Sequence, residues 1–175
     1  MKQAKFKKFV SQYKNQIYTQ AYYFTKCAED AKDITQEVLI KLWHHLDTIS
    51  DKSVKNWLLL VTKNQCIDHS RKKRAFTETA LVSDGDDWEF QFDGVGDSLN
   101  PEQDLINLDH KDRIMAAIQQ LPEKIKNVII MREIQHQKYE DIASAMEIPI
   151  NSVKVYLHRG RKLLFEYLKP YYLRG

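Results

Sequence analysis

Glycine and proline are scarce in this chain, with five and four among 175 residues. A sandwich or barrel of many short strands needs turn residues far more often, which argues against a β architecture. Cys27 and Cys66 are too few for a disulfide framework and share no CxxC spacing, which fits a reducing compartment. No run of eighteen apolar residues occurs, so no transmembrane helix is expected. The N-terminal stretch MKQAKFKKFVSQYKNQ is basic but has neither an apolar signal core nor a small-residue cleavage site, and a cytoplasmic location is expected. Phosphate loops of the GxxxxGK[ST] or GxGxxG kind are missing, and the six histidines show no Cys/His spacing for zinc. Glu133 to His136 supplies one ExxH element where a di-iron bundle requires two and two further carboxylates. Neither enzymatic activity nor a metal or cofactor is expected.

A further absence is local. Residues 75–110 contain ten acids and not one Lys or Arg. Residues 1–74 hold fifteen Lys/Arg against seven Asp/Glu, and residues 111–175 hold twelve against seven. The net charge of +3 therefore conceals two basic lobes on either side of an acidic tether. Such a layout is the electrostatic footprint of contact with a polyanion at two places. Residues 76–100 hold three of the five glycines and no sustained period, and read as a flexible linker. Within it Trp88, Phe90 and Phe92 alternate with polar and acidic residues, a spacing open to a short strand but fitting docking points on a partner surface better.

The remaining apolar spacing is helical. It predicts an all-α protein of two small domains, with helices near 3–25, 30–47 and 53–73, then near 101–120, 122–135, 139–146 and 151–168. Ala31, Ile34, Val38, Leu42 and Leu46 make the buried stripe of the second helix, and Asp33, Gln36, Glu37 and Lys41 share its opposite side. In the third, Trp57, Leu60, Val61 and Ile67 mark the expected buried stripe. Asn64 and Asp68 along it would need hydrogen bonds inside the fold. That helix ends in Arg71, Lys72, Lys73 and Arg74, more positive charge than a helix dipole needs, so phosphate contact is expected.

Near the C-terminus Tyr139, Ile142, Ala143 and Met146 form one apolar stripe, interrupted by Glu147-Ile148-Pro149-Ile150. Asn151 suits an N-cap, and Val153, Leu157, Gly160 and Leu164 form the next stripe. The other faces carry Ser152, Lys154, Val155, His158, Arg159, Arg161 and Lys162 without an acid. This is either a plain αα-hairpin with a solvated basic face or a helix-turn-helix whose second helix enters the major groove.

The patterns DAxDxxQExxxxxW at Asp30–Trp43, WLxxxxxNxxxD at Trp57–Asp68 and LPExxxxVIxxREI with YEDIAxxMxIPxxSVKxxLxRGRxxL beyond Leu121 stand in this order. Together they resemble the extracytoplasmic-function group of bacterial RNA polymerase sigma factors, in the sigma-70 superfamily. The resemblance implies a region 2-like domain at 1–75, an acidic linker at 76–100 and a region 4-like domain at 101–175. It also implies docking of Asp33, Gln36, Glu37 and Lys41 on the polymerase β′ coiled coil, with β as a further contact. The loop Thr48 to Lys55 and the helix after it would face the −10 element, with Lys52, Lys55, Lys63, Asn64, Arg71, Lys72, Lys73 and Arg74 on its strand. Arg132, Ser152, Lys154, Val155, His158 and Arg159 would read the −35 element, while Arg161 and Lys162 hold phosphate. An anti-sigma factor or other regulator is the partner expected beyond core polymerase and promoter DNA, and the bound form would be associated with the nucleoid. The linker would thread the channel by which RNA leaves the enzyme. Lys138 departs from the family's small hydroxyl residue before the helix-turn-helix, forfeiting a cap of roughly 1 kcal/mol. The alternative is a stand-alone helix-turn-helix regulator that binds operator DNA without polymerase. Nothing in that reading accounts for the first two patterns.

Overall fold

The computed structural model describes the backbone of residues 1–79 and 101–173 and the side chains of 1–76 and 109–173. The expected aromatic docking points Trp88, Phe90 and Phe92 and the threading of the linker fall outside the described residues. All regular elements among them are helical. They are α1 (Lys2–Thr25), α2 (Ala28–His45), α3 (Val54–Thr79), α4 (Pro101–Gln119), α5 (Glu123–Ile129), α6 (Tyr139–Met146) and α7 (Ile150–Tyr172). A π-helical turn, Ile130–Ile134, follows α5 directly.

The N-terminal lobe packs α1, α2 and α3 around Ile17, Ala21, Phe24, Ile34, Val38, Leu42, Leu46, Leu58 and Cys66, all buried. The expected stripe of α2 is the one observed, because Ala31, Ile34, Val38 and Leu42 recur at steps of three and four. Helix α3 departs from expectation by about one position. Leu58, Leu59, Thr62, Lys63, Gln65 and Cys66 are buried, Trp57, Leu60, Val61 and Ile67 are only half-buried, and Asn64 and Asp68 are exposed. The physical reason is that α3 is covered on two sides. Leu58 and Cys66 join the core of their own lobe, whereas Leu59 joins Leu121, Ile125, Val128, Ile142 and Leu157 in the core of the other.

The two lobes therefore meet directly. Gln119 Nε2 donates to the Tyr23 carbonyl at 2.7 Å, Lys126 Nζ to the Phe24 carbonyl at 3.1 Å and Gln135 Nε2 to the Gln16 carbonyl at 2.9 Å. Tyr23 and Phe24 lie in the last turn of α1, where carbonyls lack an intrahelical partner, so two of these donors also cap that helix end.

In the C-terminal lobe the break between α6 and α7 is made by Glu147, not by Pro149 alone. Glu147 adopts a left-handed conformation, φ 56°, and Ile148 N–H returns to the Ala143 carbonyl at 3.1 Å. This closes α6 as glycine normally would. Pro149, extended at φ −62° and ψ 152°, then occupies the N-cap of α7. The expected cap Asn151 lies inside the helix, and no side chain caps it. The proline's carbonyl instead accepts Ser152 N–H and Val153 N–H at 3.0 and 3.2 Å. Lys138 precedes α6 without a side-chain cap, with Glu140 and Asp141 in the first turn against the helix dipole.

Candidate nucleic-acid interface

Helix α2 presents Asp33, Gln36, Glu37 and Lys41 outward, all exposed. They divide into two pairs. Lys41 Nζ donates to Gln65 Oε1 at 2.6 Å, and Gln65 Nε2 donates to Glu37, so these two are braced by a buried side chain of α3. Asp33 and Gln36 have no side-chain partner among the described residues. Ile40, 58% exposed, and Trp43, 38% exposed, continue the same face. Ile40 was legible in principle, as an apolar residue standing off the buried stripe one turn after Gln36 and Glu37.

The turn after α2 runs to Ser53, with Thr48 Oγ1 bonded to the His45 carbonyl at 2.9 Å and Ser50 and Ser53 hydroxyls 2.8 Å apart. Lys52 is exposed there, while Lys55 already lies on α3. Further along α3, Asn64, Arg71, Lys72, Lys73 and Arg74 are exposed. Asp30 fixes the direction of this basic end by meeting His69 Nε2 at 3.1 Å and Lys73 Nζ at 3.0 Å. Burial would raise the Asp30 carboxyl, but the Lys73 ammonium and His69 hold it below its ordinary value. Arg74 reaches Ser70 Oγ at 3.2 Å and Glu123 at 3.5 Å.

Lys63 is placed differently from the other cations of α3. Its side chain is buried where α3 meets the other lobe, and desolvation lowers its pKa, with the Glu147 carboxylate pulling the other way. Lys55 Nζ sits 3.3 Å from Asp141 of α6. Between these contacts lies a cleft of about 330 Å³ lined by Lys52, Ser53, Asn56, Trp57, Leu60 and Ser144. Sequence reasoning missed Asn56 and Ser144, because the cleft exists only where α3 and α6 come together.

Helix α7 is the opposite case. Val153, Leu157 and Gly160 are buried while Lys154, Val155, His158, Arg159, Arg161 and Lys162 are exposed, and Ser152 is half-buried. A Cβ on Gly160 would stand 2.6 Å from Ile129 Cγ1 and 2.9 Å from Ile125 Cγ2, so only glycine lets α7 lie this close to α5. Two of the expected −35 contacts have internal partners. Arg132 Nη1 donates to the Gln137 carbonyl at 2.8 Å with its guanidinium 4.7 Å from the Tyr139 ring centre, bracing the turn before α6. Arg161 meets Glu133 at 2.6 Å, and that hydrogen bond raises its pKa. Lys154, Val155, His158 and Arg159 project together as one patch on two successive turns.

Residues 9–76 match the family model of Sigma-70 region 2, and residues 111–164 that of Sigma-70, region 4. The ECF RNA polymerase sigma factor SigW of Bacillus subtilis is 29% identical over 94% of this chain and 89% of its own length. The RNA polymerase sigma-H factor of Pseudomonas aeruginosa is 27% identical over 92% of this chain and 84% of its own. In fold, the chain is similar to the sigma factor RpoE from Bartonella quintana, solved with the anti-sigma factor NepR. That match has a TM-score of 0.71 and 21% identity, and covers 94% of this chain and 96% of that one. CnrH, solved with the cytosolic domain of CnrY, gives a TM-score of 0.67 at 18% identity over 94% and 88% of the two chains. The two family-model matches, one on each helical lobe, put the chain in the sigma-70 class. Within it the chain belongs to the extracytoplasmic-function sigma factors, which bind core RNA polymerase and direct promoter-specific initiation.

Proposed function

We propose that this work is divided among three stretches, residues 1–75, 76–100 and 101–175. The first docks on core polymerase through Asp33, Gln36, Glu37 and Lys41, with Ile40 and Trp43 adding apolar area to that face. It also holds the −10 strand with Lys52, Lys55, Asn64 and the Arg71–Arg74 end of α3, and Lys63, covered while the lobes are closed, joins them when the lobes part. The last reads the −35 element with Lys154, Val155, His158 and Arg159. Arg161 and Lys162 steady the backbone, and Ser152 and Arg132 add to the −35 contacts. The acidic middle stretch threads the polymerase's RNA path. The protein acts in the cytoplasm, at the nucleoid when bound to polymerase, and catalyses no reaction of its own. Since RpoE and CnrH were solved with NepR and CnrY, a regulator of the anti-sigma kind is proposed for this chain too.

The observation that carries this reading is the α7 patch. A helix locked on its inner side by Val153, Leu157 and Gly160 offers two cations, a histidine and a valine outward with no acid among them. Lys154 and Arg159 can donate to guanine O6 and N7, and Val155 can pack on a thymine methyl. The test is transcription from a randomised promoter library with and without core polymerase. A bipartite motif should be selected only when core is present, and Arg159→Ala should relax one −35 position while Lys162→Ala weakens all sequences alike. Tight, sequence-selective binding by the protein alone would instead favour an operator-binding regulator.

A further inference from the structure

Helix α1 is built against its own dipole. Its 24 residues include Lys2, Lys5, Lys7, Lys8 and Lys14, no acid, and no side-chain cap. Four of those lysines stand in the first two turns, at the end of a helix that repels cations. Oppositely charged partners three or four residues away, the usual support of an exposed helix, are missing. The charge pattern is therefore not explained by the stability of the helix.

The fold accounts for two of the five. Lys2 meets Asp47 at 2.6 Å and Lys5 meets Asp51 at 3.0 Å, which fastens the start of α1 to the turn after α2. Lys7, Lys8 and Lys14 are exposed and pair with no carboxylate among the described residues. Around them the exposed face holds Gln3, Ala4, Ser11, Gln12 and Asn15. Protein interfaces have an apolar or aromatic centre and are depleted of lysine, so this face does not have the composition of one. Lysine acting as a point charge suits phosphate, and phosphate contact needs no apolar centre.

Position selects which phosphates. Lys8 lies about one helical turn from Lys5, both flank the Phe9 ring, and Lys5 touches Asp51, the chain neighbour of exposed Lys52. Lys8 thus stands beside the turn assigned above to the −10 element, and Lys7 and Lys14, roughly 100–120° further round the helix, carry the positive charge across its exposed side. We propose that Lys7, Lys8 and Lys14 hold backbone phosphates of promoter DNA beside the −10 element, extending onto α1 the track that Lys52 begins. This rests on the reading under Proposed function.

The experiment uses holoenzyme assembled from core polymerase and the full chain, on a promoter selected by the wild type. The triple variant Lys7→Gln, Lys8→Gln, Lys14→Gln should flatten the dependence of log affinity on log salt by about two to three, at roughly 0.7–0.9 per phosphate neutralised. Its deficit should be largest at low salt, and its sequence preference should be unchanged. The corresponding triple arginine variant should keep the wild-type slope, and Lys7→Gln alone should remove about one contact's share. Circular dichroism should show the glutamine variant folded, since it relieves the charge at the helix start. An unchanged slope would overturn the inference, as would a loss of affinity for core polymerase measured without DNA, which would make the face a protein contact. Failure of the wild-type holoenzyme to select any promoter would overturn the underlying reading, and this one with it.

Discussion

Helices α3 and α7 are similar in length, 26 and 23 residues, and each closes the core of its lobe, yet they meet their surroundings in opposite ways. Helix α7 divides cleanly along its N-terminal half. Val153, Leu157 and Gly160 go inward, and Lys154, Val155, His158 and Arg159 go to solvent. Helix α3 has three sides: Leu58 and Cys66 toward its own lobe, Leu59 and Lys63 toward the other, Asn64 and Arg71 to solvent. The reading surface of α7 is complete once its own lobe folds. That of α3 depends on whether the lobes stay together, because closure covers Lys63 and sets Asp141 against Lys55. On the proposed assignment, open duplex readout and restricted strand access coexist in one conformation.

The sharpest way to break the contrast is to damage the inner side of α7. Leu157→Ala removes a fully buried side chain and should cost about 2–5 kcal/mol, whereas Val155→Ala, two residues away and 46% exposed, should stay within about 0.5 kcal/mol. Urea denaturation checks both. A small loss for Leu157→Ala would mean that α7 is not held by that contact. Gly160→Ala should come next. Overpacking against Ile125 and Ile129 costs about 1–3 kcal/mol. The better helix propensity of alanine returns about 1 kcal/mol, leaving a net loss. A net gain in melting temperature would show that the isoleucines simply move aside.

How far each helix was legible in the sequence follows from the same difference. The inward stripe of α7 was readable because one environment imposes one period, and α2 was readable for the same reason. On α3 two cores impose overlapping stripes, so Trp57, Leu60, Val61 and Ile67 looked like the buried side when Leu58, Leu59 and Cys66 are. Asn64 and Asp68 needed no internal partners because they face water. The break before α7 was legible in place but not in mechanism. Pro149 is conspicuous in a sequence, whereas a glutamate in the left-handed region carries no local mark. The site divides similarly. The exposed row on α7 could be read from spacing, but the bracing of Glu37 and Lys41 by Gln65 depends on a contact between helices.

Closure itself can be tested on the polar pair that spans it. Lys55 and Asp141 are half-exposed, so their double-mutant coupling should be about 0–1 kcal/mol and should fade with salt. Removing the pair should nonetheless raise the fraction of extended molecules seen by small-angle X-ray scattering. No change in that fraction would mean that the apolar contacts of Leu59 and the bonds from Gln119, Lys126 and Gln135 hold closure without this pair.

The smallest expected effect concerns Lys63. Burial favours its neutral form and Glu147 favours the charged one, so the two oppose each other and the pKa falls below 10.5 by the difference. The folded chain therefore binds fewer protons than the unfolded chain between the lowered value and 10.5, and this residue makes stability rise with pH across that window. Lys126, also lowered by desolvation, contributes with the same sign, whereas the buried Cys66 thiol, pushed up to about 12, contributes with the opposite one. Only a difference between variants isolates Lys63. Lys63→Met keeps the length of the side chain and removes the charge, so it should tighten closure near neutral pH and show a shallower rise in stability toward pH 10.5 than the wild type. Paired urea titrations at several alkaline pH values measure both effects. Parallel pH profiles for the two proteins would mean that Lys63 keeps its charge hydrated at the lobe junction, and that closure does not desolvate this side of α3.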